Sequence, residues 1–158
     1  MRLLMSGTTM MDNCTILDVL EATLQERGEI RVPAVGLSMG GWFAACDGLV
    51  IGRFRPECAV MGRIAVFRCG DRWVAHRILL RWGNRCVTKG DGVWMPDWPI
   101  PRQADMVGEV VAVVRGETRH RLDSTRALIT GWLRAVAGWI EVAMGLIVSG
   151  TRRVFRSK

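Results

Sequence analysis

The 158-residue sequence has no tyrosine, only two histidines and no pair of cysteines spaced C-x-x-C. Its five cysteines, Cys14, Cys46, Cys58, Cys69 and Cys86, are odd in number and widely spread. That pattern argues against a structural zinc site and against the disulfide framework of a small secreted domain. Reduced, mostly buried thiols are expected instead. Neither a P-loop nor H-E-x-x-H occurs, so no metal and no nucleotide cofactor is expected. The opening residues MRLLMSGTTMMDNC break their apolar run with Ser, Gly, Thr and Asp too early for a membrane span or a signal-peptide core. The chain is therefore expected to lack a cleavable signal peptide and to be cytoplasmic or membrane-associated.

What is present favours a folded, strand-rich domain. Hydrophobic residues make up 49% of the chain, enough for an ordinary core and too much for global disorder. The 18 glycines are spread among Val-rich runs, which favours turns and strands over a helical bundle. The formal net charge of +7 suits nucleic acid or an anionic membrane surface. The arginines are scattered through the middle, however, and no helix-turn-helix or aromatic-interleaved RNA motif stands out. No nucleic-acid partner is expected.

Three segments follow from the pattern. Residues 1–30 contain Ile16, Leu17, Leu20 and Leu24 at helical spacing, with Gly28 as a stop, predicting an amphipathic helix over 15–27. Residues 31–116 hold short β-branched runs separated by Gly, Asp, Asn or Pro, which read as strands. Cys69-Gly70-Asp71 and Gly83-Asn84 read as tight turns, and 90–102, with three prolines, as a long loop. Residues 117–158 read as a basic linker and a hydrophobic helix over 127–149. Leu128, Ile129, Trp132, Leu133, Val136, Trp139, Ile140, Ala143, Met144 and Ile147 follow the helical period. Gly131, Gly138 and Gly145 recur every seven residues on a weaker side near Arg134 and Glu141. An interfacial helix, a span packed through its glycine face and a soluble docking helix all fit this pattern. A membrane surface is thus a candidate partner for 127–149.

Four short motifs occur in order: Gly36-Leu37-Ser38-Met39, Gly62-Arg63-Ile64-Ala65-Val66-Phe67, His76-Arg77, and Lys89-Gly90-Asp91 followed by Asp97. Singly, each has a plain reading. A serine after glycine is commonly a turn residue, a lone strand histidine commonly belongs to the core, and Lys-Gly-Asp is an ordinary hairpin turn. Together they resemble the signal peptidase I family and, more broadly, the clan that includes LexA-like self-cleaving repressors. In that family a Gly-x-Ser-Met segment carries the nucleophile, a basic residue followed by Arg carries the base, and a late Gly-Asp turn follows. The bacterial branch uses Lys as the base; the archaeal and endoplasmic-reticulum branch uses His, as His76 does here. That branch also holds an aspartate in the Gly-Asp turn and another six residues on, positions matched by Asp91 and Asp97. The resemblance covers about residues 30–115. The chain departs from the pattern at Gly41, where relatives commonly have Pro, and at Gly62-Arg63, where they have Gly-Asp.

The resemblance implies a mainly β, LexA/signal-peptidase-like, β-barrel-like core, with the N-terminal helix before it and the C-terminal helix after it. It implies a serine endopeptidase that removes a leader or signal segment from a polypeptide substrate, commonly after small side chains. The residue types suit that chemistry. A serine hydroxyl needs a base within hydrogen-bond reach. Neutral imidazole, with an ordinary pKa of roughly 6.5, can take the proton and return it to the leaving amine. A carboxylate on the far ring nitrogen fixes the tautomer. Asp91 or Asp97 could supply it, with Asp97 the slight preference. The Ser38 amide is the expected oxyanion donor; Gly36 lies where some relatives hold a serine, and Met39 is expected to pack beneath the site. Arg77 should point to the opposite strand face from His76 and hold structure or a carboxylate. Two other readings stand beside the peptidase: a regulatory, self-cleaving member of the same clan, and a non-catalytic adaptor that binds a membrane or partner through 127–149.

Overall fold

The computed structural model describes residues 13–34, 38–40, 43 and 46–155, apart from the side chains at 13–14, 58 and 146–155. The first helix, α1, spans Asn13–Arg27 and begins two residues before the predicted start. Leu17 and Leu24, seven residues apart on one helical face, are both buried against the sheet. The helix stops at Gly28, whose N–H donates to the Leu24 carbonyl at 2.9 Å.

Seven strands follow: β1 (Glu29–Pro33), β2 (Gly48–Arg53), β3 (Ile64–Cys69), β4 (Arg72–Trp82), β5 (Arg85–Lys89), β6 (Met106–Arg115) and β7 (Thr118–Arg121). They form one sheet in the order β1-β2-β6-β3-β4-β5, with β7 also on β6. Every pairing is antiparallel. The chain is thus mainly β, with a helix at its N-terminal side and an apolar helix at its C-terminal side, as the pattern predicts. The β3–β4 and β4–β5 hairpins turn at Gly70-Asp71 and Gly83-Asn84.

Strands β3 and β4 are covered on both faces. Ile64, Val66, Trp73 and Ala75 belong to the larger cluster with α1, whereas Ala65, Phe67 and Ile78 join Ala59, Cys86 and Met106 in a second cluster. Because side chains alternate along a strand, adjacent residues of β4 serve different layers. That alternation positions the site.

One assignment is corrected. Residues 117–126 read as a basic linker, yet Thr118–Arg121 is a strand paired with β6 from Ala112 to Arg115. All four residues are exposed, so the segment has no hydrophobic alternation to reveal it. Gly116, at φ 56°, makes the tight turn that brings it back.

The second helix, α2, spans Thr125–Phe155, longer at both ends than 127–149. Ser124 caps it, its hydroxyl accepting from the Ala127 N–H at 3.3 Å. The small, charged side of α2 faces the sheet. A Cβ on Gly131 would lie 2.6 Å from the Gly62 carbonyl oxygen, so the backbones meet there only because both residues are glycine. Gly138 sits over Leu79, and Trp139 Nε1 donates to the Leu79 carbonyl at 3.2 Å. Ala135 and Val142 are buried in the same seam. Outward, Ile129, Trp132, Leu133, Ile140 and Met144 are each more than half exposed.

Candidate active site

Strand β4 places His76 and Arg77 side by side in sequence and on opposite faces of the sheet. Each has its own aspartate. Both come from the segment that leaves β5 at Lys89 and runs back along that strand before the 3₁₀ turn at Gln103–Asp105. The return is held by backbone hydrogen bonds: Asp97 N–H to Thr88 O at 2.8 Å, Cys86 N–H to Pro101 O at 3.0 Å, and Gln103 N–H to Asn84 O at 2.7 Å. These bonds fix Asp97 above the end of β5.

His76 Nδ1 lies 2.8 and 2.7 Å from the two carboxylate oxygens of Asp97. A carboxylate only accepts, so Nδ1 carries a proton, and in the neutral imidazole Nε2 is left as the acceptor. Nε2 is 3.1 Å from Ser38 Oγ. Asp97 is itself held from below by Thr88, whose hydroxyl donates to Oδ2 at 2.7 Å. Thr88 is fully buried and His76 nearly so, while Ser38 is half-buried. Phe67 meets the imidazole edge to face, with ring centroids 6.2 Å apart, which limits where the ring can turn.

Ser38 is positioned through its backbone. Its carbonyl accepts the Gly92 N–H at 2.8 Å. Gly90 passes so close that an added Cβ would lie 2.3 Å from the Ser38 oxygen and 3.0 Å from His76 Nε2. Only glycine leaves room for the serine and the imidazole to meet. Met39 is buried in the larger cluster beneath the serine, where it was expected. Gly36 lies outside the described residues.

Asp91 does not reach His76. Its carboxylate is taken on the other face by the fork of Arg77, Nε to Oδ1 at 2.8 Å and Nη2 to Oδ2 at 2.6 Å. Arg77 Nη1 donates to the Gly62 carbonyl at 2.6 Å. Arg134 of α2 approaches Asp91 at 3.6 Å. Next to this pair, buried Lys89 meets Glu141 of α2 at 2.6 Å. The two charges that make α2 costly as a free apolar helix are thus spent on the sheet.

Sequence reading missed Thr88, Gly90 and the Lys89–Glu141 pair. A polar residue alternating with buried Cys86 on one strand face was the available signal for Thr88. Cys46 and Cys86 are buried, and burial pushes both thiol pKa values up. Cys69 is exposed at the β3–β4 turn. Among the described residues, no cluster of His, Cys, Asp and Glu is arranged to hold a metal ion.

Ser38, His76 and Asp97 open into a groove of about 640 Å³ that runs along β4 toward the β3–β4 turn. A second cavity, about 380 Å³, lies between β6, β7 and the start of α2. It reaches Arg77 but none of those three residues. Comparison with protein-family models, with curated proteins and with solved structures returns no match.

Proposed function

We propose that the protein is a serine endopeptidase of the signal-peptidase type, built on a LexA-like core, that removes a leader or signal segment from a polypeptide. The observation that carries this reading is the unbroken relay from Ser38 Oγ through His76 to Asp97, opening onto a groove. In the proposed reaction Ser38 Oγ attacks the scissile carbonyl as His76 Nε2 takes its proton. The Ser38 amide stabilises the oxyanion. The imidazolium, held by Asp97, returns the proton to the leaving amine, and an acyl-enzyme forms on Ser38. Water, deprotonated by His76, then releases the acyl group. A fluorophosphonate probe tests this directly. It should form a phosphonyl adduct at Ser38, read by mass spectrometry, and His76→Ala should abolish the adduct. Labelling that ignores His76→Ala, or that never occurs on the folded protein, sinks the reading.

The same proposal places the enzyme on a membrane surface, with α2 lying in the interface. Thr125–Gly145 is apolar and long enough to cross a membrane by composition. One side of it, however, is committed to the sheet through Gly131, Gly138 and Glu141, so only the outward side is free for lipid. Arg126 lies at the start of this stretch and Arg152 and Arg153 lie after it, which suits anionic headgroups. The full chain should sediment with vesicles containing phosphatidylglycerol. Leu133→Glu with Ile140→Glu should weaken that binding by at least about tenfold, since centring charges in an apolar face costs kcal/mol amounts. Equal sedimentation of both proteins removes the membrane assignment without touching the peptidase reading.

A further inference from the structure

The groove beside Ser38 is not apolar along its length. Arg72, Arg85 and Arg102 line it, and none of them has a carboxylate within ion-pair distance among the described residues. Arg68 also lines the groove but is already matched by Asp18 at 2.6 Å and Glu21 at 3.6 Å. The two carboxylates in the lining are both occupied. Asp97 is held by His76 and Thr88, and Asp105 accepts the Arg102 backbone N–H at 2.8 Å. These neutral donors leave both carboxylates charged, but the four arginines of the lining outnumber them, so the wall of the groove is net positive.

Their distance from the chemistry is set by β4. Arg72, Val74 and His76 alternate onto one strand face. Four residues of extended chain place Arg72 about 13 Å from His76. Arg85 and Arg102 lie across the groove, joined by a β-bridge, and Arg85 Nη1 is tied to the Ile100 carbonyl at 2.9 Å. Arg72 and Arg102 are exposed. An extended polypeptide bound with its scissile bond at Ser38 has nearly the same rise per residue as β4. Its side chains some three to five residues from the cut would meet these guanidinium groups.

Resting on the peptidase reading above, we propose that the groove selects polypeptides carrying Asp or Glu three to five residues from the scissile bond, recognised by Arg72, Arg85 and Arg102. Guanidinium forks suit carboxylates, and an apolar or basic segment would offer these arginines none. The selection adds a charged requirement at a distance to the small residues expected next to the cut.

The test uses the full chain with Ser38→Ala, so that binding is read without turnover. Fluorescent peptides share a small-residue centre and differ only in carrying Glu, Gln or Lys at the distal positions; anisotropy gives the affinities. The Glu peptide should bind about tenfold more tightly than the Gln peptide, and the Lys peptide more weakly still. The preference should shrink at high salt. Adding Arg72→Glu with Arg102→Glu should reverse the order, whereas Arg72→Lys with Arg102→Lys should keep it. Circular dichroism melting checks that each variant is folded. Equal binding of the three peptides overturns the proposal. So does an acidic preference that survives the double reversal, because it would then reside on the general +7 surface. Fluorophosphonate labelling of wild-type Ser38 is scored separately: its failure sinks the peptidase reading, and loss of peptide preference with labelling intact sinks only the acidic selection.

Discussion

His76 and Arg77 are neighbours on one strand, each bound to an aspartate from the same loop, yet the two pairs differ in kind. The Asp97 pair has a third member, Ser38, and an open groove. The Asp91 pair is a closed fork, with Arg77 and Asp91 both under a tenth exposed in their side chains and a second arginine behind them. One pair leaves an unspent acceptor, Nε2, facing a hydroxyl. The other spends its polar atoms on structure. The lesson is that an aspartate beside a basic residue is chemistry only where the basic residue has a lone pair left to use.

Three substitutions sharpen the contrast. The largest effect should come from Asp97→Asn, which keeps the shape but lets the imidazole adopt the wrong tautomer. Fluorophosphonate labelling of Ser38 should slow by roughly 10³–10⁴-fold, with little change in melting temperature. Asp91→Ala should do the reverse in kind. It strands the buried Arg77 charge and should cost about 3–5 kcal/mol of stability, read by denaturant unfolding. If Asp91→Ala instead slows labelling as much as Asp97→Asn while leaving stability intact, the division of labour is wrong. The smallest effect should come from Thr88→Val, a change of similar shape that removes one hydrogen bond to Asp97. Labelling should slow by about three- to tenfold. No slowing would mean that the backbone bond between Asp97 and Thr88 positions the carboxylate unaided.

Much of this was legible from residue order. The helix ending at Gly28, the strand runs, the two hairpin turns and the long loop follow from apolar periodicity and turn residues. The face parity of His76 and Arg77 follows from their adjacency alone. Which aspartate goes to which partner does not, because it depends on how the loop folds back, and that is fixed by backbone bonds such as Asp97 N–H to Thr88 O. Strand β7 was hidden because its four side chains all face solvent and only its pairing with β6 makes it a strand. The orientation of α2 was left open among three readings for a different reason. An apolar stripe is ordinarily turned toward the core, but here the glycine seam and two buried ion-pair partners outweigh it, so the stripe is left outside.

That orientation bears on any attempt to trim or swap the C-terminal segment. Glu141 is the counter-ion of Lys89, and Lys89 is bonded in sequence to the glycine wedged under Ser38 and His76. A shortened chain, or one regrafted with a plain apolar helix, would leave Lys89 without its carboxylate, one peptide link from the glycine that abuts Ser38 and His76. The C-terminal helix is thus a keystone, and engineering that treats it as a detachable handle would be working on the frame of the site itself.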